Sequence, residues 1–140
     1  MITVITSVYN GNQYLSKLLQ MIQANTLCLQ SGHPDQQVEY LLINDSPWIP
    51  MQIPAQQNAC YTLRPMDNPE NYGIHKSRAR GILEAAGDLI CILDQDDEIA
   101  DTFLLSQFEA LGNESVVVCN GRKEFDARSK PIYKDSLKMG

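Results

Sequence analysis

The sequence predicts a three-layer α/β fold built on an open, mostly parallel sheet. Two observations lead there: short apolar, β-branched runs alternate with amphipathic helical stretches, and each run ends in polar turn formers. The order is strand, helix, strand, strand, helix, strand, helix, strand, which right-handed crossovers join into one sheet. At 140 residues the chain has the length of one domain. We expect a single domain over 1–140, with its core in 1–121 and a hairpin and tail in 122–140.

Ile2 to Val8 reads as a buried strand, stopped by the turn cluster Tyr9-Asn10-Gly11-Asn12. Leu15, Leu18, Leu19 and Ile22 then recur at helical spacing, predicting a helix over about 12–28 that Ser31 to Asp35 ends. Val38 to Ile43 is a second strand, broken by Asn44-Asp45-Ser46-Pro47, and Cys60 to Arg64 a third, closed by Pro65. Pro47 to Asn58 has three prolines and no period, so it is a loop. After Asn71-Tyr72-Gly73, Ala79, Ile82, Leu83 and Ala86 share one helical face, and Gly87 is the expected stop. Leu89 to Leu93 has the unbroken apolar character of a central parallel strand covered on both faces. Asp101 caps a further helix with Leu104, Leu105, Phe108 and Leu111 inward, which Gly112-Asn113 ends. Ser115 to Asn120 reads as a strand, and Asp126 to Lys130 as the turn before a short strand at Pro131 to Tyr133.

The 44% hydrophobic and 20% charged content is that of a soluble domain, and no apolar run approaches the ~20 residues of a bilayer span. The N-terminus lacks the basic start and cleavage site of a signal peptide, so cytoplasmic residence is expected, including peripheral association with a membrane. Cys28, Cys60, Cys91 and Cys119 lie far apart and read as reduced core residues rather than a zinc site or disulfide framework. A net charge of −6 argues against a nucleic-acid partner.

In open α/β sheets ligands lie beyond the carboxyl ends of the strands. There the first strand offers Ser7, Val8, Tyr9 and Asn10, the second Asn44, Asp45 and Ser46, and the apolar one Asp94-Gln95-Asp96-Asp97-Glu98. Four carboxylates within five residues repel one another, and a divalent cation is the economical way to hold them together. The alternative is an acidic helix cap in solvent. Neither GxGxxG nor GxxxxGK[ST] occurs, which excludes dinucleotide-binding and P-loop chemistry. Phosphate would then be met by the metal and by the basic residues His75, Lys76, Arg78 and Arg80 at a helix start, although Lys76 and Arg80 read better as a solvated face.

Taken together, these residues resemble the family-two glycosyltransferases. Val4 to Asn10 is similar to their apolar–Pro-x-Tyr-Asn start and Asn44 to Pro47 to their Asp-Asp-Gly-Ser turn. Asn71, Gly73, Arg78, Gly81, Ala86, Gly87, Asp88, Leu93, Asp94, Asp96 and Asp97 follow their long central motif in register. Ser7, Asn44, His75 and Ala79 depart from the pattern, and none of these removes a metal carboxylate. The resemblance implies a GT-A, Rossmann-like fold, here ending after the donor-binding half, and inverting transfer from a nucleotide-diphosphate sugar, UDP-linked by preference. The acceptor would be a saccharide or lipid-linked sugar of cell-envelope polysaccharide synthesis. It further implies that Asp45 accepts from the nucleobase with backbone near Val8 and Tyr9 beside it, that Ser7, Asn10 and Asn71 also bind the nucleotide, that Arg78 lies near base or diphosphate, and that Asp94 lies near the ribose. Asp96 would hold Mn²⁺ or Mg²⁺, with Asp94 and Asp97 as further candidates. The family's catalytic base lies on a later segment, and no residue here is assigned to it.

A binding-only module with the same donor site is the main alternative. A receiver-like signalling domain would need an acidic pair where Ser7 stands, and a nucleotidyltransferase a Gly-rich loop where Thr6 to Asn10 stands. Self-association through the sheet edge, at Val116 to Val118 or the hairpin over 124–133, is also expected.

Overall fold

The computed structural model describes residues 1–112, 122–125 and 131–134. Among these the elements are β1 (Ile2–Val8), α1 (Asn12–Gly32), β2 (Val38–Asn44), β3 (Thr62–Asp67), α2 (Ile74–Glu84), β4 (Leu89–Ile92), α3 (Phe103–Leu111), β5 (Arg122–Phe125) and β6 (Pro131–Lys134). The chain forms two compact units, Met1–Thr102 and Phe103–Gly140.

In the first unit four strands make an all-parallel sheet in the order β3-β2-β1-β4. The order reverses at β1, whose neighbours β2 and β4 arrive by separate crossovers, and that reversal opens a crevice at the strand ends. The most buried strand is β2, where every residue from Val38 to Asn44 is enclosed. Ile5, Leu41 and Ile43 form a packed cluster with Met66 and Ala85 against it. One stripe of α1 is buried through Leu15, Leu18, Leu19, Ile22 and Leu29, as the periodicity predicts.

The α2 helix does not use the expected face. Ala79, Ile82, Leu83 and Ala86 are exposed, and the buried residues are Ser77 and Gly81. A Cβ on Gly81 would stand 2.6 Å from Ile5 Cγ2 and 3.0 Å from Ile43 Cδ1, so the helix lies too close to the sheet for a side chain there. Close approach, not apolar content, chose the face.

Other boundaries differ for local reasons. α1 runs on to Gly32 and closes at His33, whose N–H donates to Leu29 O at 2.9 Å. β3 continues through Pro65 to Asp67, with Pro65 opposite Leu42. Proline is tolerated there because β3 is an edge strand among the described residues and needs no outward donor. β4 also has a strand on one side only among the described residues, and Ile90 and Ile92 are 41% and 39% exposed, so it is not the doubly covered strand expected. Gly87 is not a helix stop, since α2 ends at Glu84; it lies where a Cβ would meet Thr3 Oγ1 at 2.6 Å and Met1 O at 2.7 Å. Cys60 is exposed rather than in the core.

In the second unit α3 gives way to Gly112, whose φ of 55° is the left-handed turn the glycine permits. β5 and β6 pair antiparallel from Arg122 opposite Lys134 to Phe125 opposite Pro131, the expected hairpin. The strand expected at Ser115 to Asn120, and with it Cys119 and Val116 to Val118, lies outside the described residues.

Candidate functional site

Beyond the carboxyl ends of β1, β2 and β4 lies a cavity of about 370 Å³ lined by Ser7, Tyr9, Asp45, Asn71, Gly73, Ile74, Asp94, Gln95 and Asp96. The crevice is thus where the strand order reverses, and most of its polar lining was singled out from sequence.

On its β1 side the strand ends in a sharp turn. Asn10 has φ 46°, a conformation asparagine tolerates better than most residues, and its N–H donates to Ser46 Oγ at 3.0 Å. Val8 is buried and continues the ladder, accepting from Asp45 N at 2.8 Å, so its contribution is backbone placement. Asn10 does not line the cavity.

Tyr9 is held by a residue that sequence reasoning left unassigned. The side-chain amide of Gln95 accepts from Tyr9 N at 3.0 Å and donates to Tyr9 O at 3.2 Å, an imitation of strand pairing that joins the acidic turn to the β1 turn. A Cβ on Gly11 would stand 2.3 Å from Gln95 Oε1 and 2.9 Å from Val8 Cγ1, so this clasp needs glycine at position 11. The only sequence signal was a glycine inside the turn cluster.

On the β2 side Asn44 closes its own turn. Its Oδ1 accepts from Ser46 N at 3.1 Å and Ser46 Oγ at 3.2 Å, and its Nδ2 donates to Ile49 O and Asp67 Oδ1 at 3.0 Å each. An aspartate could not make the last two bonds and would face another carboxylate, which gives the departure at this position a physical reason.

Asp45 is 3% exposed and carries four hydrogen bonds. Oδ1 accepts from Asn68 Nδ2 at 2.8 Å and Tyr72 N at 2.7 Å, and Oδ2 from Asn71 Nδ2 and Gly73 N at 3.0 Å each. Asn71 Nδ2 also reaches Asp45 O at 3.1 Å. The carboxylate therefore fixes the segment that leads into α2, at the positive end of that helix. The hydrogen-bond acceptor expected for a nucleobase is here committed to four protein donors. Gly73, with φ 82°, lets the chain turn into the helix.

The β4 side is the acidic turn. Asp97 N donates to Asp94 O at 3.1 Å and Asp94 N to Asp97 Oδ2 at 2.9 Å, closing a β-turn with Gln95 and Asp96 at its tip. Asp94 Oδ1 accepts from Arg78 Nη2 at 2.5 Å. Burial raises the Asp97 carboxyl above the ordinary range, and the charges of Asp94 and Asp96 push it further the same way. Asp96 is exposed at the cavity and takes no hydrogen bond or ion pair from the described residues.

Of the basic residues at the start of α2, Arg78 alone meets the acidic turn, and Lys17 of α1 pairs with Glu98 just after it. Arg80 donates to Asp67 O at 2.7 Å and Asn68 Oδ1 at 2.8 Å, and Lys76 Nζ stands 3.8 Å from the centre of the Tyr72 ring, so both serve the scaffold. Among the described residues no three His, Cys, Asp or Glu side chains converge as a ready metal cage. Asp94 and Asp96 do share the cavity, a pair of hard oxygen donors of the kind that binds Mg²⁺ or Mn²⁺ together with substrate phosphates.

An open parallel sheet with an acidic turn and a polar crevice at its switch point defines an α/β protein of the GT-A type. The chain belongs to glycosyl transferase family 2, whose family model matches residues 3–138. It is 25% identical over 141 residues, 96% of its own length, to EpsH of Bacillus subtilis (strain 168), which is named as a glycosyltransferase. It covers 37% of that protein. Crystal structures of S. aureus TarS share the fold: residues 1–349 superpose with TM-score 0.58 at 20% identity over 82% of this chain and 33% of TarS. The same TarS fragment in complex with UDP gives 0.57.

Proposed function

We propose that this chain carries the donor site of a glycosyltransferase and binds a nucleoside-diphosphate sugar, UDP-linked by preference, across the carboxyl end of β1. The observation that carries this reading is the meeting of Ser7, Tyr9, Asp45, Asn71, Asp94 and Asp96, from three strands, around one cavity. The UDP complex of TarS, a protein of the same fold, supports the choice of nucleotide.

The nucleoside would lie on the β1–β2 side and the diphosphate on the β4 side. Asp96 and Asp94 would hold a divalent cation, which when bound supplies charge neutralisation for the departing diphosphate. Arg78 and the N-terminus of α2 bring positive charge to the same place. Transfer would form a bond from an acceptor hydroxyl oxygen to the anomeric carbon as the bond from that carbon to the diphosphate oxygen breaks, with inversion. The hydroxyl proton requires a base that is not assigned among these residues.

Calorimetry with UDP tests the reading. Binding should appear with Mg²⁺ or Mn²⁺ and weaken severely in excess chelator, because the acidic turn otherwise repels the diphosphate. Equal affinity in both conditions would remove the metal from the proposal, and no heat in either would remove the nucleotide.

A further inference from the structure

The loop after β2 reads Ser46-Pro-Trp-Ile-Pro-Met-Gln-Ile-Pro54, and it carries the single tryptophan of the chain. Trp48 is 59% exposed, and Tyr9 beside it 48%. Their ring centres are 6.1 Å apart with the planes at 83°. So much aromatic surface left in water has a hydration cost that a folded domain normally avoids.

Neither ring sits on loose backbone. Ile49 N donates to Ser46 O at 2.9 Å, Asn44 Nδ2 to Ile49 O, and Asn12 Nδ2 to Pro50 O at 3.1 Å, while Gln52 N donates to Asn12 Oδ1 at 2.8 Å. Pro47 and Pro50 further restrict the chain on either side of the tryptophan. The Gln95 clasp fixes Tyr9 in the same way. The rings therefore form a pre-set right-angled corner, in which a planar group stacked on one ring meets the other edge-on.

The corner also has a definite place. Tyr9 lines the cavity, and Trp48 stands against it three residues after Asp45. In the strand order β2-β1-β4, Trp48 follows the strand on one side of β1 and the acidic turn follows the strand on the other. A donor whose diphosphate lies at Asp94 and Asp96 would carry its flat, apolar end to the aromatic side.

We propose that Trp48 completes, against Tyr9, an aromatic corner for the nucleobase of the donor and is a determinant of which base is accepted. This rests on the nucleotide-sugar reading above and adds to it a residue outside the motif that the sequence singled out.

Because Trp48 is the only tryptophan, its emission reports the corner directly. The chain is titrated in Mg²⁺ with UDP, GDP, uridine and inorganic pyrophosphate, by calorimetry and by fluorescence. UDP and uridine should change the emission, and pyrophosphate should bind without changing it. Trp48→Ala should weaken UDP about three- to tenfold and shift the UDP to GDP ratio, the scale of one aromatic contact. Pyrophosphate affinity should stay unchanged, and Trp48→Phe should restore most of the loss. UDP binding that leaves the emission and the Trp48→Ala affinity unaltered would overturn the corner while leaving the donor site intact. An equal loss for UDP and pyrophosphate would overturn it too, by making Trp48 part of the scaffold. Absence of all nucleotide binding would overturn the donor site, and the corner with it.

Discussion

Two arginine–carboxylate pairs stand at opposite ends of the same sheet. At the starting end, Glu39 accepts from Arg64 Nη1, Thr3 Oγ1 and Ala86 N, all at 2.9 Å, and its side chain is 5% exposed. At the carboxyl end, Asp94 takes one arginine contact at 2.5 Å and its side chain is 45% exposed. The first carboxylate has donors on every side and ties β1, β2, β3 and the chain after α2 together. The second lies beside Asp96 and Asp97 with more negative charge than its surroundings neutralise. The same chemistry, completed by the protein, is a fastener; left incomplete at a cavity, it is a place for a cation and a phosphate.

If that contrast is right, changes at the two ends have separable consequences. Glu39→Ala should lower unfolding stability by about 3 kcal/mol, the scale for breaking a buried pair discounted because Arg64 is partly solvated, and leave nucleotide affinity nearly unchanged. Urea denaturation read beside UDP calorimetry checks both halves. A stable variant that had lost UDP binding would show that the starting end is coupled to the site.

Asp96→Ala should do the opposite. Loss of a metal carboxylate should weaken Mg²⁺-dependent UDP binding by about 100-fold or more, since even supporting contacts around metal sites are worth 10- to 100-fold. The fold should be as stable as before or slightly more so, because one repelling charge leaves the cluster. A variant with unchanged Mg²⁺-dependent affinity would take Asp96 out of the proposed metal site.

Gln95→Ala, which removes the clasp without removing charge, should cost about three- to tenfold in UDP affinity through a less fixed Tyr9, at the scale of one hydrogen bond. The effect should be carried by the nucleoside: uridine binding falls and pyrophosphate binding does not. A uniform loss would place the role of Gln95 in the shape of the acidic turn instead.

How far the sequence could reveal these residues depended on whether the relevant contact was local. β1, β2 and α1 were legible because a short apolar run between turn formers, or a helical period, is a property of neighbouring residues. The acidic turn was legible because four carboxylates in five residues need an explanation wherever they lie. The buried face of α2 was not, since Gly81 is selected by the distance to Ile5 and Ile43 and Ser77 by the bond it accepts from Asn68 Nδ2, and apolar content points to Ile82 and Leu83 instead. Pro65 misled because whether a proline ends a strand depends on its being an edge strand. Asp45 could be placed at the site, but not its four donors, which lie 23 to 28 residues away. Gln95 and Tyr9, 86 residues apart, share no pattern that a single sequence displays.

The finest separation between the ends is in acid. Glu39 has an ordinary carboxyl value of 4.5; burial pushes it up, and the bonds from Ala86, Arg64 and Thr3 outweigh burial and hold it below that value. A carboxyl with its folded value depressed contributes stability that is fully present above the unfolded value and is lost as pH falls through the folded one. Glu39→Gln keeps the shape and an acceptor for Ala86 or Thr3 but cannot ionise. The stability difference between wild type and Glu39→Gln should therefore be constant above about pH 5 and shrink below about 4.5. Thermal melts at half-unit steps from pH 3 to pH 7, without nucleotide or metal, measure it. A difference that grows on acidification would mean that burial raises the Glu39 carboxyl, that its donors do not complete it, and that the two ends of the sheet are alike.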